Sequence, residues 1–171
     1  MNSSVIDTLA VYGAAYLYLV LLAAALIWYL IQPRAAKLEM IVWGVVALPV
    51  LYVLLIFAGM VYNDPRPFDV GHFTPLIPHE PDNGFPSDHT MLCSATSSIV
   101  FFYSKRMSAV LWLMTAVVGA SRVYTGLHHA TDIIASVVMA VVVSYLTWTF
   151  VLPRLKRTDL YKAALRAFGG P

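Results

Sequence analysis

Charge is scarce in this chain: Lys and Arg total 11, Asp and Glu total 9, and charged residues make up only 12% of 171. So little charge cannot clothe a water-soluble domain. A hydrophobic content of 60% and a mean hydropathy of +0.74 say the same, so the chain reads as an integral membrane protein. Cysteine is nearly absent as well. The single Cys93 excludes an internal disulfide and lies inside an apolar run. The amino terminus, MNSSVIDTL, has no basic stretch ahead of the first apolar run. That argues against a cleaved signal and for a retained span that starts outside.

Five apolar runs of spanning or near-spanning length are present, at Leu9–Ile31, Met40–Tyr62, Met91–Tyr103, Ala109–Val123 and Ile133–Leu152. The third and fourth are short unless flanking polar residues join their helices, so the third is expected to begin near Ser87 and the fourth to run through Ser121. The expectation is an all-α, polytopic membrane bundle of about five transmembrane helices, forming one domain over residues 1–171. Arg34 and Lys37, Lys105 and Arg106, and Arg154, Lys156, Arg157, Lys162 and Arg166 then share one side of the membrane. By the positive-inside rule that side is cytoplasmic, which puts the N-terminus outside and the C-terminus in the cytoplasm. Arg66 and Arg122 are the exceptions. They fall on the outer side against the orientation bias, together with all five histidines (His72, His79, His89, His128 and His129) and most of the acids.

Between two of the apolar runs lies Ser121–Asp132, SRVYTGLHHATD, a stretch too polar for hydrocarbon unless the polar groups have work to do. If Ala130 onward is helical, His128 and Asp132 stand four residues apart and can meet. A carboxylate on one imidazole nitrogen fixes the tautomer and leaves a lone pair on the other, which makes an oriented nucleophile or base. Arg122 adds a planar fork of donors suited to phosphate. The set suggests phosphoryl transfer. By itself it is also compatible with a structural hydrogen bond or with part of a metal site. Upstream, Pro65 and Pro67 stiffen the backbone around Arg66. A long polar loop with Pro75, Pro78, Pro81 and the turn pair Asn83-Gly84 follows, and Pro86-Ser87-Asp88 then opens a helix whose free N–H groups form an anion site beside His89. Residues 63–89 would thus be an outer loop carrying two of three site elements.

These three elements, ArgPro at 66–67, ProSerAspHis at 86–89, and SerArg at 121–122 followed by His128 and Asp132, resemble the signature of the type 2 phosphatidic acid phosphatase superfamily. Two positions depart from it. Gly59 stands where the superfamily usually has a lysine, and Asp88 where it has a glycine. With LeuIleProHis at 76–79 and PheProSerAspHisThr at 85–90, the departures resemble the bacitracin-resistance branch of undecaprenyl-diphosphatases.

The resemblance implies a hydrolase in the bacterial cytoplasmic membrane, with its site facing the outside or periplasm. It would remove the terminal phosphate of undecaprenyl diphosphate, so recycling the cell-wall carrier lipid. His128 would be the nucleophile, forming a phosphohistidine. Asp132 would orient it, and His89 would protonate the leaving group and then activate water. Arg66, Ser87, Asp88 (through its backbone) and Arg122 would bind phosphate, with His79 and His129 as possible positioning residues. No metal, cofactor or nucleic-acid partner is implied. The partners would be a polyprenyl diphosphate lipid and the bilayer, while the oligomeric state is left open. Rival readings are a phosphatidylglycerophosphate, phosphatidate or lipid A phosphatase on the same scaffold and, more remotely, a metal-binding membrane protein using the outer histidines.

Overall fold

A computed structural model describes residues 4–168. Its helices in chain order are α1 (Val5–Ala15), α2 (Leu17–Leu30), α3 (Arg34–Val61), α4 (Pro67–Val70), α5 (Asp88–Phe101), α6 (Lys105–Tyr124), α7 (Ala130–Leu146), α8 (Leu152–Leu155) and α9 (Asp159–Ala167). A π-helical stretch, Thr147–Val151, joins α7 to α8. Among the described residues no strand forms, and extended backbone pairs only in an isolated bridge between Pro65 and Asn83. The protein is all-α, as expected.

The helix starts follow from local chemistry. Ser4 and Asp7 close a capping box on α1, Ser104 accepts from the Met107 N–H at the start of α6, and Thr158 accepts from the Tyr161 N–H at α9. Pro33 precedes α3, where a missing N–H costs nothing.

Among the described residues, three helical segments are long and apolar enough to cross a membrane: Arg34–Val61, Lys105–Tyr124 and Ala130–Leu155. The first apolar run, expected as one helix, is instead α1 and α2 bent by 51° at Tyr16; counted as one span, the pair brings the total to four. The third expected span corresponds to α5. At 14 residues it is only about 21 Å long, short of a hydrocarbon core of roughly 30 Å.

What α5 does instead is fill the centre, packing against α6, α7, α2 and α3. Thr90, Met91, Cys93, Ser94, Ala95, Ser97, Ile99 and Val100 are buried there. Small residues allow this close approach, and the hydroxyls of Ser97 and Ser98 find partners. Ser97 Oγ donates to the Cys93 carbonyl (2.8 Å), Ser98 Oγ to the Ser94 carbonyl (2.7 Å), and Ser108 Oγ of α6 to the Ser97 carbonyl (2.8 Å). The outer faces of α3, α6 and α7 expose Val45, Val53, Leu113, Ile134 and Val138, as a lipid-facing surface requires.

The two ends of the bundle differ. At one end Glu39 pairs with Lys156 and accepts from Tyr103 Oη (3.0 Å). About 30 Å away along α3, at 1.5 Å per residue, the carbonyl of Gly59 marks the other end, where the candidate site lies. The C-terminal α9, not expected from the hydropathy of the sequence, is an amphipathic helix that buries Tyr161 while leaving Leu160 exposed. It packs against α3.

Candidate active site

The segment between α6 and α7 is shaped by the end of α6. Gly126 takes φ +82°, a conformation open to glycine, and the N–H groups of Leu127 and His128 both return to the Arg122 carbonyl (3.1 and 3.3 Å). This fold-back sets the His128 ring beside the Arg122 side chain. His128 is therefore in the loop ahead of α7 rather than on its face. Asp132, the third residue of α7, reaches back to accept from the His129 N–H (2.8 Å) and lies 3.3 Å from His128 Nδ1. The expected pair forms, by a capping contact rather than by helical spacing alone.

His128 is held on both ring nitrogens. Arg122 Nη2 lies 3.0 Å from Nε2 and Arg66 Nη1 lies 3.4 Å from it. A guanidinium can only donate, so Nε2 is the accepting nitrogen and Nδ1 carries the hydrogen. That hydrogen is aimed at the Gly84 carbonyl (2.9 Å), with Asp132 Oδ2 as the second acceptor. Burial, opposed by the hydrogen bond to Asp132 and reinforced by the two arginines, pushes the His128 pKa below the usual histidine value. The ring is thus kept neutral, with an in-plane lone pair at Nε2 between two cationic forks.

Each fork is set by a different part of the chain. Arg66 Nη1 donates to the Leu127 carbonyl (2.8 Å), and its Nε pairs with Asp82. Arg122 Nη1 donates to the Ala14 carbonyl (3.3 Å) at the end of α1, where the break at Tyr16 ends the helix and leaves last-turn carbonyls to outside donors. The bend also folds α1 onto α6. A Cβ on Gly13 would fall 2.3 Å from Ser121 Oγ, so that contact depends on glycine. Arg122 Nε has no hydrogen-bond partner among the described residues. Both arginines are buried, with side chains 8% (Arg66) and 7% (Arg122) exposed, an arrangement that calls for an anion between them.

At the start of α5, the Asp88 carboxylate approaches Arg122 Nη2 (4.0 Å) and His89 Nδ1 (2.7 Å), and it also accepts from the His89 N–H. The Tyr18 ring stands edge-on to His89, 4.5 Å between centroids. Arg66, Asp88, His89, Arg122, His128 and Asp132 are therefore one connected group. Ser87 is fully buried beside it, but its hydroxyl turns to Thr90 Oγ1 (3.1 Å) while its carbonyl accepts from Ser136 of α7 (2.8 Å). His129 faces away, with Nε2 3.2 Å from the Pro65 carbonyl and 3.8 Å from Asp64. His79 is exposed on the loop, with Nδ1 2.8 Å from the Glu80 carbonyl. Neither joins the group. Among the described residues, no cluster of three or more His, Cys, Asp or Glu side chains could hold a metal ion.

Several members were not foreseen. Asn83 is the organiser of the loop: its Nδ2 donates to the carbonyls of Gly59 (2.8 Å) and Tyr62 (3.1 Å), and its Oδ1 accepts from the N–H groups of Asp64 (2.9 Å) and Phe85 (3.0 Å). Gly84 follows, its carbonyl on His128. A Cβ there would come within 3.3 Å of Asp132 Oδ2 and 3.4 Å of the Asp64 carbonyl. The Asn-Gly pair signalled a turn. That the turn supplies a hydrogen-bond acceptor to the histidine had no local signal.

With this geometry in hand, similarity to known proteins becomes informative. The sequence model described as the PAP2 superfamily matches residues 40–156, which include every member of the connected group. The chain is 30% identical over 152 residues to a protein named Undecaprenyl-diphosphatase BcrC from Bacillus subtilis (strain 168), covering 87% of this chain and 77% of that one. It is 32% identical over 142 residues to Bacitracin transport permease protein BcrC of Bacillus licheniformis, covering 81% and 70%. Among solved structures, Aquifex aeolicus LpxE superposes with a TM-score of 0.66 at 21% identity, over 87% of this chain and 88% of that one. At such identity the likeness bears on the fold alone.

Proposed function

From the premise that this chain belongs to the PAP2 superfamily and is a membrane phosphatase of it, we propose that its reaction is hydrolysis of undecaprenyl diphosphate to undecaprenyl phosphate through a phosphohistidine. The observation that carries the mechanism is His128: neutral, with Nδ1–H engaged by Gly84 and Asp132, and with Nε2 between Arg66 and Arg122.

In this reading a terminal phosphate displaces the arginine donors from Nε2 and takes them on its own oxygens. Nε2 attacks phosphorus in line, and the bond to the bridging oxygen breaks. The lipid phosphate leaves with that electron pair and a proton from His89. Asp132 stabilises the imidazolium character gained by His128. Water then attacks the phosphohistidine and gives its proton to His89. The P–N bond breaks back onto Nε2, and inorganic phosphate departs. Arg66, Arg122 and the N–H groups at the start of α5 hold the equatorial oxygens as charge shifts between bonds. Ser87 joins them if its hydroxyl turns from Thr90.

The diphosphate substrate is supported by the name of the Bacillus subtilis relative, Undecaprenyl-diphosphatase BcrC. Five crossings, with α5 as the shielded central one, an outside N-terminus and a site facing the outside of the bacterial cytoplasmic membrane, accord with the basic residues gathered at the Glu39–Lys156 end.

The test is phosphate release by the purified protein from undecaprenyl diphosphate, phosphatidate and phosphatidylglycerophosphate in parallel, in chelator. Preference for the diphosphate is expected. A preference for either monophosphate would assign the same mechanism to a different lipid.

A further inference from the structure

Both histidines of the site have Nδ1 on an aspartate, and only one of these pairs belongs to the signature seen in the sequence. His128 uses Asp132 at 3.3 Å. His89 uses its own neighbour, Asp88, at 2.7 Å, with the same oxygen also accepting the His89 N–H at 2.7 Å. Two bonds to one carboxylate oxygen tie the ring to the helix start, and Tyr18 closes on it edge-first. With Nδ1 occupied, Nε2 is the nitrogen left for chemistry.

From this geometry we infer that Asp88 is a positioning residue that commits His89 to the water-activating half of the reaction. The inference rests on the phosphohistidine reading above. The two halves make unequal demands on His89. A lipid phosphate leaving from a diphosphate has a conjugate acid with a pKa near about 6, so it departs with little help. An alkoxide leaving from a phosphate ester is far more basic and needs the acid. Hydrolysis of the phosphohistidine needs a base for water whichever substrate came first. A carboxylate on Nδ1–H fixes the tautomer and the ring orientation, leaving the Nε2 lone pair to take the proton of the attacking water, which serves the second half. The groups that face this pair are Arg122 from α6 and Tyr18 from α2, with Tyr52 of α3 along the neighbouring groove. Arg122 bridges the halves, because its Nη2 lies 3.0 Å from the nucleophilic nitrogen and 4.0 Å from Asp88. Here an aspartate in place of glycine adds the anion that a water-activating histidine needs, at an exposed helix start where a carboxylate is also favoured.

The experiment is rapid quench of the purified full chain with undecaprenyl diphosphate labelled in its terminal phosphate, comparing wild type, Asp88→Asn, Asp88→Glu and Asp88→Gly. In Asp88→Asn the first turnover keeps its rate within a few-fold. Steady-state turnover falls by about 10- to 100-fold, part of the range for general base catalysis. Labelled protein then accumulates toward one phosphate per chain, and the product burst becomes visible. Asp88→Glu recovers part of the turnover, while Asp88→Gly behaves as Asp88→Asn does. A burst rate and a steady-state rate that fall together, or a change confined to KM, overturns the role of Asp88 while leaving the phosphohistidine standing. Wild-type protein that turns over the lipid yet never labels on His128 overturns the reading beneath, and this inference with it.

Discussion

The Nη2 of Arg122 lies 3.0 Å from Nε2 of His128 although the two residues belong to separate segments, the last turn of α6 and the loop ahead of α7. The contact has two consequences. It settles which imidazole nitrogen accepts, and it means that the proposed nucleophile and a proposed phosphate ligand are ordered by the same fold-back at Gly126.

Replacing either arginine by lysine therefore removes geometry as well as donors. A lysine keeps the charge but cannot span two phosphate oxygens. We expect Arg122→Lys and Arg66→Lys each to lower kcat by about 10²- to 10³-fold, the usual effect of losing one transition-state donor. Steady-state phosphate release checks this. A change in KM alone would mean that the forks bind substrate without acting on the transition state.

The protonation state of His128 is open to direct measurement. Burial and the two arginines hold its pKa below about 6.5, the ordinary histidine value. Nitrogen-15 histidine spectra of the protein in detergent should show one ring that stays neutral as pH falls through that value, with the hydrogen on Nδ1. The signal should vanish in His128→Gln. A ring that charges at or above about 6.5, or that carries its hydrogen on Nε2, would contradict the arrangement.

How far the sequence revealed this site depends on what each residue costs. Arg66, Arg122, His128 and Asp132 are polar groups in a hydrophobic chain, so their positions carried information before any coordinates, and the structure brings them together. The bend at Tyr16 had no such signal. Leu9–Ile31 is evenly apolar, and the break answers a tertiary contact, Gly13 on Ser121. Asn83 and Gly84 looked like an ordinary loop turn because their partners lie far off in the chain, at Gly59 and His128. Length and apolarity alone mark only three or four of the five expected spans, for a related reason. Hydropathy marks apolar runs, whereas α5 is a short central helix sheltered by its neighbours. Its interior can therefore carry Ser94, Ser97 and Ser98.

Gly59 stands where the resemblance leads one to expect lysine, and the structure explains why lysine is absent. A Cβ at this position would lie 3.1 Å from the Phe85 carbonyl and 3.5 Å from Asn83 Nδ2. Adding the cation should therefore not improve the enzyme. Gly59→Lys is expected to push the 83–85 turn off α3, to destabilise the fold by about 1–3 kcal/mol as overpacking does, and to reduce kcat by misplacing the Gly84 carbonyl. Thermal unfolding in detergent together with steady-state kinetics checks both parts. Higher activity at unchanged stability would show that the missing cation, and not the close approach, is what matters at this position.

Asp82 pairs with Nε of Arg66 from the loop, and its side chain is 54% exposed while that of Arg66 is 8% exposed. In the proposed mechanism an arriving phosphate and this carboxylate seek the same guanidinium, so binding would weaken or displace the pair. A half-exposed ion pair is worth at most about 1 kcal/mol, which limits the competition to roughly five-fold in affinity. Asp82→Asn should therefore lower KM by up to that factor with kcat nearly unchanged, and the gain should shrink in high salt as screening weakens the wild-type pair. If Asp82→Asn instead raises KM, the carboxylate is aiming the Arg66 fork rather than obstructing it. The loop would then belong to the binding surface, and the Pro65–Asn83 bridge that tethers it would become the next contact to break.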